Sequence, residues 1–234
     1  MKIAILTFPG TNCDHDVTHV LTRVLKVPAK NVWHSTFKER DFSAAVLPGG
    51  FSFGDYLRAG AIASHSPALG EIRKMAKSGK PILGICNGFQ ILTEAELLPG
   101  ALLPNDCLKF VCKWTRLVCK SSDTAFTTRV QLNSYLQIPV AHQEGRFFID
   151  EDGLRALEND RQIVFQYVDE KGNKDQKANP NGSVANIAGI CNEERNVLGL
   201  MPHPERASEA ILSPSNDNHG LLLFQSLTDS VGGS

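Results

Sequence analysis

Along the first hundred residues, short apolar runs alternate with stretches in which apolar residues recur every three or four positions. KIAILT, NVWHS, SAAVLPGG and PILGI read as strands, each a compact apolar segment closed by turn-forming residues. Between them, Val17, Val20, Leu21, Val24 and Leu25 fall on one face of a helix. The stretch from Pro67 to Ser78 is helical again, with Gly79 as its C-terminal cap. This alternation predicts an α/β fold, a mainly parallel central sheet flanked by helices.

The middle of the chain changes character. KFVCKWTRLVC, QEGRFFID and QIVFQYVD alternate and are rich in β-branched and aromatic residues, which predicts antiparallel or mixed strands added to the sheet. KGNKDQKANPNGS is a polar loop, NVLGLMPHPE a last strand running into a proline-containing loop, and HGLLLFQSLTDS a terminal helix. No internal repeat or interdomain linker interrupts the pattern, and the expectation is one domain over residues 1–234.

Composition narrows the function classes. The formal net charge is -1, from 24 basic and 25 acidic residues, so no basic surface for nucleic acid or an anionic membrane is expected. The N-terminal apolar run is broken by Pro9, Gly10 and Asp14, unlike a signal peptide, and no run is long enough to span a bilayer. The six cysteines contain no Cys-x-x-Cys pair, which argues against a metal site or a redox dithiol and for free thiols in the cytoplasm.

Chemistry enters at Gly84-Ile85-Cys86-Asn87-Gly88, a G-x-C-x-G segment where an apolar strand meets a helix. It is the thiol counterpart of the nucleophile elbow, in which flanking glycines let neighbouring backbone pass and a sharp turn exposes the central side chain. Cys86 would then sit at a helix N-terminus, which favours thiolate, and the Asn87 amide could bind an oxyanion. The alternative is a cysteine that fills space under the helix, the ordinary fate of a free thiol and the reading adopted for the other five.

A nucleophilic thiol needs a base. Of the seven histidines, His15, His19, His34, His65 and His219 suit surface or capping positions, which leaves His142 and His203. His203 follows an apolar strand and has Glu205 two residues on; in an extended segment the two side chains point the same way, giving a base its orienting carboxylate. Asp55, Tyr56 and Arg58 form a polar cluster after Gly49-Gly50, where either glycine amide could supply a second oxyanion donor.

With Cys86, His203 and Glu205 identified, the chain resembles the class I, triad-type glutamine amidotransferases, and among them the glutaminase subunits of phosphoribosylformylglycinamidine synthase. The resemblance rests on LPGGFSFGDYLRAGAI, GICNGFQIL, AHQEGRF, QYVDEKGN, ANPNGSVANIAGI and GLMPHPER, spread over essentially the whole chain. It implies the class I glutamine amidotransferase (flavodoxin-like) fold and a Cys-His-Glu hydrolase acting on L-glutamine. Cys86 attacks, Gly49 or Gly50 and Asn87 hold the oxyanion, and Gln90 and His142 line the substrate pocket. It implies no cofactor in this chain, and as partners a PurL-type synthetase subunit that uses ATP and magnesium and a small PurS-type subunit. Where the family commonly reads HGEG the chain reads HQEG, so a side chain at Gln143 is expected to narrow that loop or alter a partner contact. Two rival readings remain at the level of sequence: a stand-alone cysteine hydrolase or chaperone-like protein, and a binding module whose thiol senses redox state.

Overall fold

A computed structural model describes residues 1–232. The strands in chain order are β1 (Ile3–Thr7), β2 (Ala29–Trp33), β3 (Ala44–Leu47), β4 (Ile82–Ile85), β5 (Ala101–Leu103), β6 (Val111–Cys119), β7 (Tyr135–His142), β8 (Arg146–Phe148), β9 (Ile163–Val168), β10 (Ile187–Cys191) and β11 (Val197–Leu200). The helices are α1 (Asp14–His19), α2 (Ala61–Ser64), α3 (Pro67–Lys77), α4 (Asn87–Glu94), α5 (Glu151–Asn159) and α6 (Leu221–Gly232).

A nine-stranded sheet runs β2-β1-β3-β4-β11-β10-β9-β6-β7. Its first five strands are parallel. The remaining four are antiparallel. Strands β1, β3, β4 and β11 are buried almost throughout, as strands covered by helices on both faces must be. Their carboxyl ends lie together, the edge at which sheets of this kind bind ligands. The antiparallel half curls back over that edge: the His203 amide donates to Pro139 O on β7 at 2.8 Å.

Three expectations need correction. QEGRFFID does form a strand, but β8 pairs with β5 in a separate two-stranded sheet instead of joining the main one. The amphipathic stretch after β1 is not one regular helix: α1 ends at His19 and Val20–Val24 forms a π-helical turn. Val17, Val20 and Leu21 are nonetheless buried, so the apolar face is kept while the winding widens. The chain around Glu205 is not extended, because Pro204–Ala207 is a 3-10 turn.

Close approach of backbone explains the glycines at the strand ends. A Cβ on Gly88 would stand 1.9 Å from the Leu47 carbonyl oxygen, and one on Gly84 would stand 2.8 Å from the Gly88 backbone. The start of α4 can therefore lie on the end of β3 only because neither residue carries a side chain.

Candidate active site

Cys86 joins β4 to α4 with φ 50° and ψ -105°, a left-handed conformation that a residue with a Cβ adopts only when its surroundings force it. Its amide donates to Leu200 O on β11 at 2.8 Å and its carbonyl accepts the Gln90 amide at 3.1 Å, so the turn is fastened on both sides. The thiol is buried, 3.8 Å from Ala141 O on β7. Asn87 opens α4, where helical amides have no partner within the helix.

β11 is the parallel neighbour of β4, and the chain leaving it carries His203 and Glu205 to the same edge. His203 Nδ1 lies 2.6 Å from Glu205 Oε1, with both side chains out of solvent. The contact expected from an extended segment forms all the same, made by the turn that follows His203. Burial pulls the His203 pKa down, but the charges of Glu205 and Cys86 and the contact with the Cys13 thiol hold it well above the usual histidine value. His203 Nε2 and Glu205 Oε2 are buried without a protein hydrogen-bond partner.

The loop after β3 forms the roof. Asn12 and Phe51 amides donate to Gly49 O and Gly10 O, at 3.3 and 2.9 Å, and this bridge uses the groups flanking Gly50 and not its own N–H. Phe53, Gly54, Asp55 and Leu57 all have positive φ, which makes this loop the most contorted segment beside the site. The expected polar cluster divides. Arg58 turns away to a two-pronged ion pair with Glu94, its Nε 2.6 Å from Oε1, and Tyr56 is exposed. Asp55 points inward, 3.5 Å from Asn87 Nδ2, its carboxyl raised to about 6 by burial and by Glu144.

Gln90 and His142 lie beside the elbow with their polar atoms already committed. Gln90 donates to Glu144 O and accepts from Asn87 Nδ2 at 2.9 Å. His142 is flanked by two asparagines, with Nδ1 3.1 Å from Asn105 Oδ1 and Nε2 3.4 Å from Asn181 Nδ2. Burial, then the charge of His203, pushes His142 down to about 4, so it is neutral at pH 7. Gln143 has an exposed side chain, and its carbonyl accepts from the Asn105 amide at 2.8 Å.

Cys13 is one residue of the site that sequence reading misses. It is buried, with Sγ 3.9 Å from His203 Nδ1 and 3.1 Å from Arg206 Nη2. A signal exists in hindsight: FPGTNCD follows β1, whose carboxyl end must share an edge with those of β3, β4 and β11.

The sequence matches the CobB/CobQ-like glutamine amidotransferase domain over residues 1–229. The chain belongs to this family of glutamine amidotransferases. It is 54% identical over 231 residues to phosphoribosylformylglycinamidine synthase subunit PurQ of Methanosarcina mazei, covering 99% of this chain and 98% of that protein. Identity to the PurQ subunit of Aquifex aeolicus is 50%, over 97% of this chain and 99% of the other. Among solved structures, a chain of PurLQS from Thermotoga maritima superimposes with a TM-score of 0.84 at 41% identity, over 97% of each chain. A glutamine amidotransferase of Thermotoga maritima at 16% identity shares the fold, with a TM-score of 0.55. The mixed sheet with its parallel half and flanking helices is thus the class I glutamine amidotransferase fold.

Proposed function

We propose that this chain is the glutaminase subunit of a phosphoribosylformylglycinamidine synthase, hydrolysing the side-chain amide of L-glutamine and passing the ammonia to a PurL-type synthetase. The observation that carries the reading is the meeting of a thiol on a strained elbow with a buried imidazole–carboxylate pair, in a chain about half identical to PurQ subunits along its full length.

In this reading Cys86 is the nucleophile and His203 the acid and base. As Sγ attacks, His203 Nε2 takes the thiol proton, and the charge of Glu205, which raises the His203 pKa, favours the ring holding it. Sγ attacks the carboxamide carbon, and the Asn87 and Gly50 amides receive the oxyanion. Imidazolium Nε2 gives its proton to the departing nitrogen, releasing ammonia and leaving a thioester. Nε2 then takes a proton from water as the water attacks the thioester, and glutamate departs. Glu205 accepts from Nδ1 throughout, fixing the tautomer and balancing the positive ring. Gln90 shapes the substrate side of the pocket. His142 braces the strand end through its asparagines and has no free nitrogen to offer glutamine.

Ammonia released into water is largely protonated and loses its nucleophilicity, so the reaction is useful only within an assembly. The partners in this reading are the PurL-type subunit, which binds ATP and magnesium and converts formylglycinamide ribonucleotide to the amidine, and a PurS-type subunit, all in the cytoplasm. No described helix is long and apolar enough to cross a membrane.

The test is glutamate release from glutamine, with and without the two partners, for the wild type and Cys86→Ala. Cys86→Ala is expected to lose at least about three orders of magnitude in glutamine use, while ammonium salt still supports synthesis by the complex. Absence of glutamate release by the wild-type complex sinks the proposal.

A further inference from the structure

Cys13, His203 and Glu205 present Sγ, Nδ1 and a carboxylate oxygen within 4.8 Å of one another, all three residues buried. Soft sulfur, imidazole and carboxylate are a donor set that zinc selects. The packing makes the approach of Cys13 to the ring possible: a Cβ on Gly49 would stand 2.7 Å from His203 Cε1 and 3.0 Å from Cys13 Sγ. The Cys13 amide donates to Gly49 O at 3.1 Å, which fixes the thiol on the Nδ1 side of the ring.

We propose that this trio is a binding site for zinc or a similar divalent transition metal, and that its occupation switches the glutaminase off. Bonds of about 2.0 Å to nitrogen and oxygen and about 2.3 Å to sulfur set donor atoms roughly 3.3 to 3.6 Å apart around a tetrahedral ion. Sγ and Nδ1 already stand at 3.9 Å, whereas Nδ1 and Oε1 must open from 2.6 Å. Glu205 Oε2, buried and without a partner, is a second oxygen that the ion can take. Arg206 donates to Cys13 Sγ at 3.1 Å, the kind of outer hydrogen bond that metal-bound sulfur receives. A cavity of about 430 Å³ lined by His203, Glu205, Arg206, Trp114 and Leu212 gives an ion a way in.

Coordination releases the thiol proton and the Nδ1 proton to solvent and forms metal–sulfur, metal–nitrogen and metal–oxygen bonds. A neutral imidazole bound through Nδ1 keeps its proton on Nε2, so it cannot accept one from Cys86. The hydrogen bond to Glu205 is lost in the same event. This inhibitory consequence rests on the glutaminase reading above; the metal site itself does not.

The experiment uses cobalt(II) as a spectroscopic probe on the Cys86→Ala protein, which removes the competing nucleophile thiol. A thiolate-to-cobalt charge-transfer absorption saturating at one ion per chain is expected, and Cys13→Ser in that background should abolish it. Glu205→Gln, which keeps the sulfur, should retain the absorption but need at least tenfold more cobalt. In the wild type, stoichiometric zinc should abolish glutamate release and a chelator restore it. An absorption missing from Cys86→Ala, or persisting unchanged after Cys13→Ser, overturns the site; should the serine variant not fold, unchanged cobalt affinity in Glu205→Gln does so. If the wild type releases no glutamate under any condition, the glutaminase reading fails and the cobalt spectrum still decides the metal site.

Discussion

Glu205 Oε1 accepts a hydrogen bond from His203 Nδ1 at 2.6 Å, and neither side chain touches solvent. Glu205→Gln keeps the shape but loses the charge that balances the ring. Glutamate release is expected to fall by roughly three to four orders of magnitude, as when an orienting carboxylate is neutralised in other triads. Steady-state kinetics on the assembled complex check this; a change confined to KM would contradict the assigned role.

Gly88 and Gly70 should respond in opposite directions to the same added methyl. Gly88→Ala drives a Cβ into the Leu47 carbonyl and is expected to cost about 3 kcal/mol or more, or to prevent folding. Gly70 lies exposed inside α3 with nothing within 4 Å of its Cβ position, so Gly70→Ala should stabilise by about 0.5 to 1 kcal/mol. Urea unfolding midpoints of the two variants decide it.

Acid should destabilise the fold through His142. Its folded pKa, about 4, lies below the unfolded value of 6.5, so between these limits the unfolded chain binds a proton that the folded one refuses. Stability then rises with pH across that window, by up to about 3 kcal/mol for a shift of this size. Asp55 works the other way: raised to about 6, it holds a proton that the unfolded chain loses near 3.8, so stability falls with pH over that interval. His142→Asn should flatten the acid limb and Asp55→Asn should steepen it, measured by unfolding free energy from pH 4 to 7.

Leu57 is 90% exposed and Tyr56 74% exposed, side by side on the contorted loop over the site. Such apolar side chains on a strained loop suit a surface that a partner covers. Leu57→Asp is expected to leave the melting temperature within a few degrees of the wild type while weakening assembly with the proposed PurL-type partner at least tenfold. Analytical ultracentrifugation of the mixture reads both partners directly.

The parallel half of the sheet and the elbow were legible because they depend on local pattern. PILGI followed by Cys86 between glycines dictates strand, turn and helix within ten residues. The pairing of His203 with Glu205 was legible for a different reason from the one that holds, since the turn beginning at Pro204 and not strand alternation brings the carboxylate round. β8 illustrates the limit: RFF has strand character, but its partner β5 is chosen by tertiary packing that periodicity does not encode. Cys13, Asn105, Asn181 and Glu144 were hidden because each reaches the site from a separate loop, joined only when the sheet curls.

Neighbouring strands β4 and β11 supply the thiol and the imidazole, yet half the chain lies between Cys86 and His203. During synthesis the elbow therefore emerges from the ribosome long before its base. A nascent chain that has not yet released His203 carries no working glutaminase, and glutamine meets the completed pair only after at least the first 203 residues have been made.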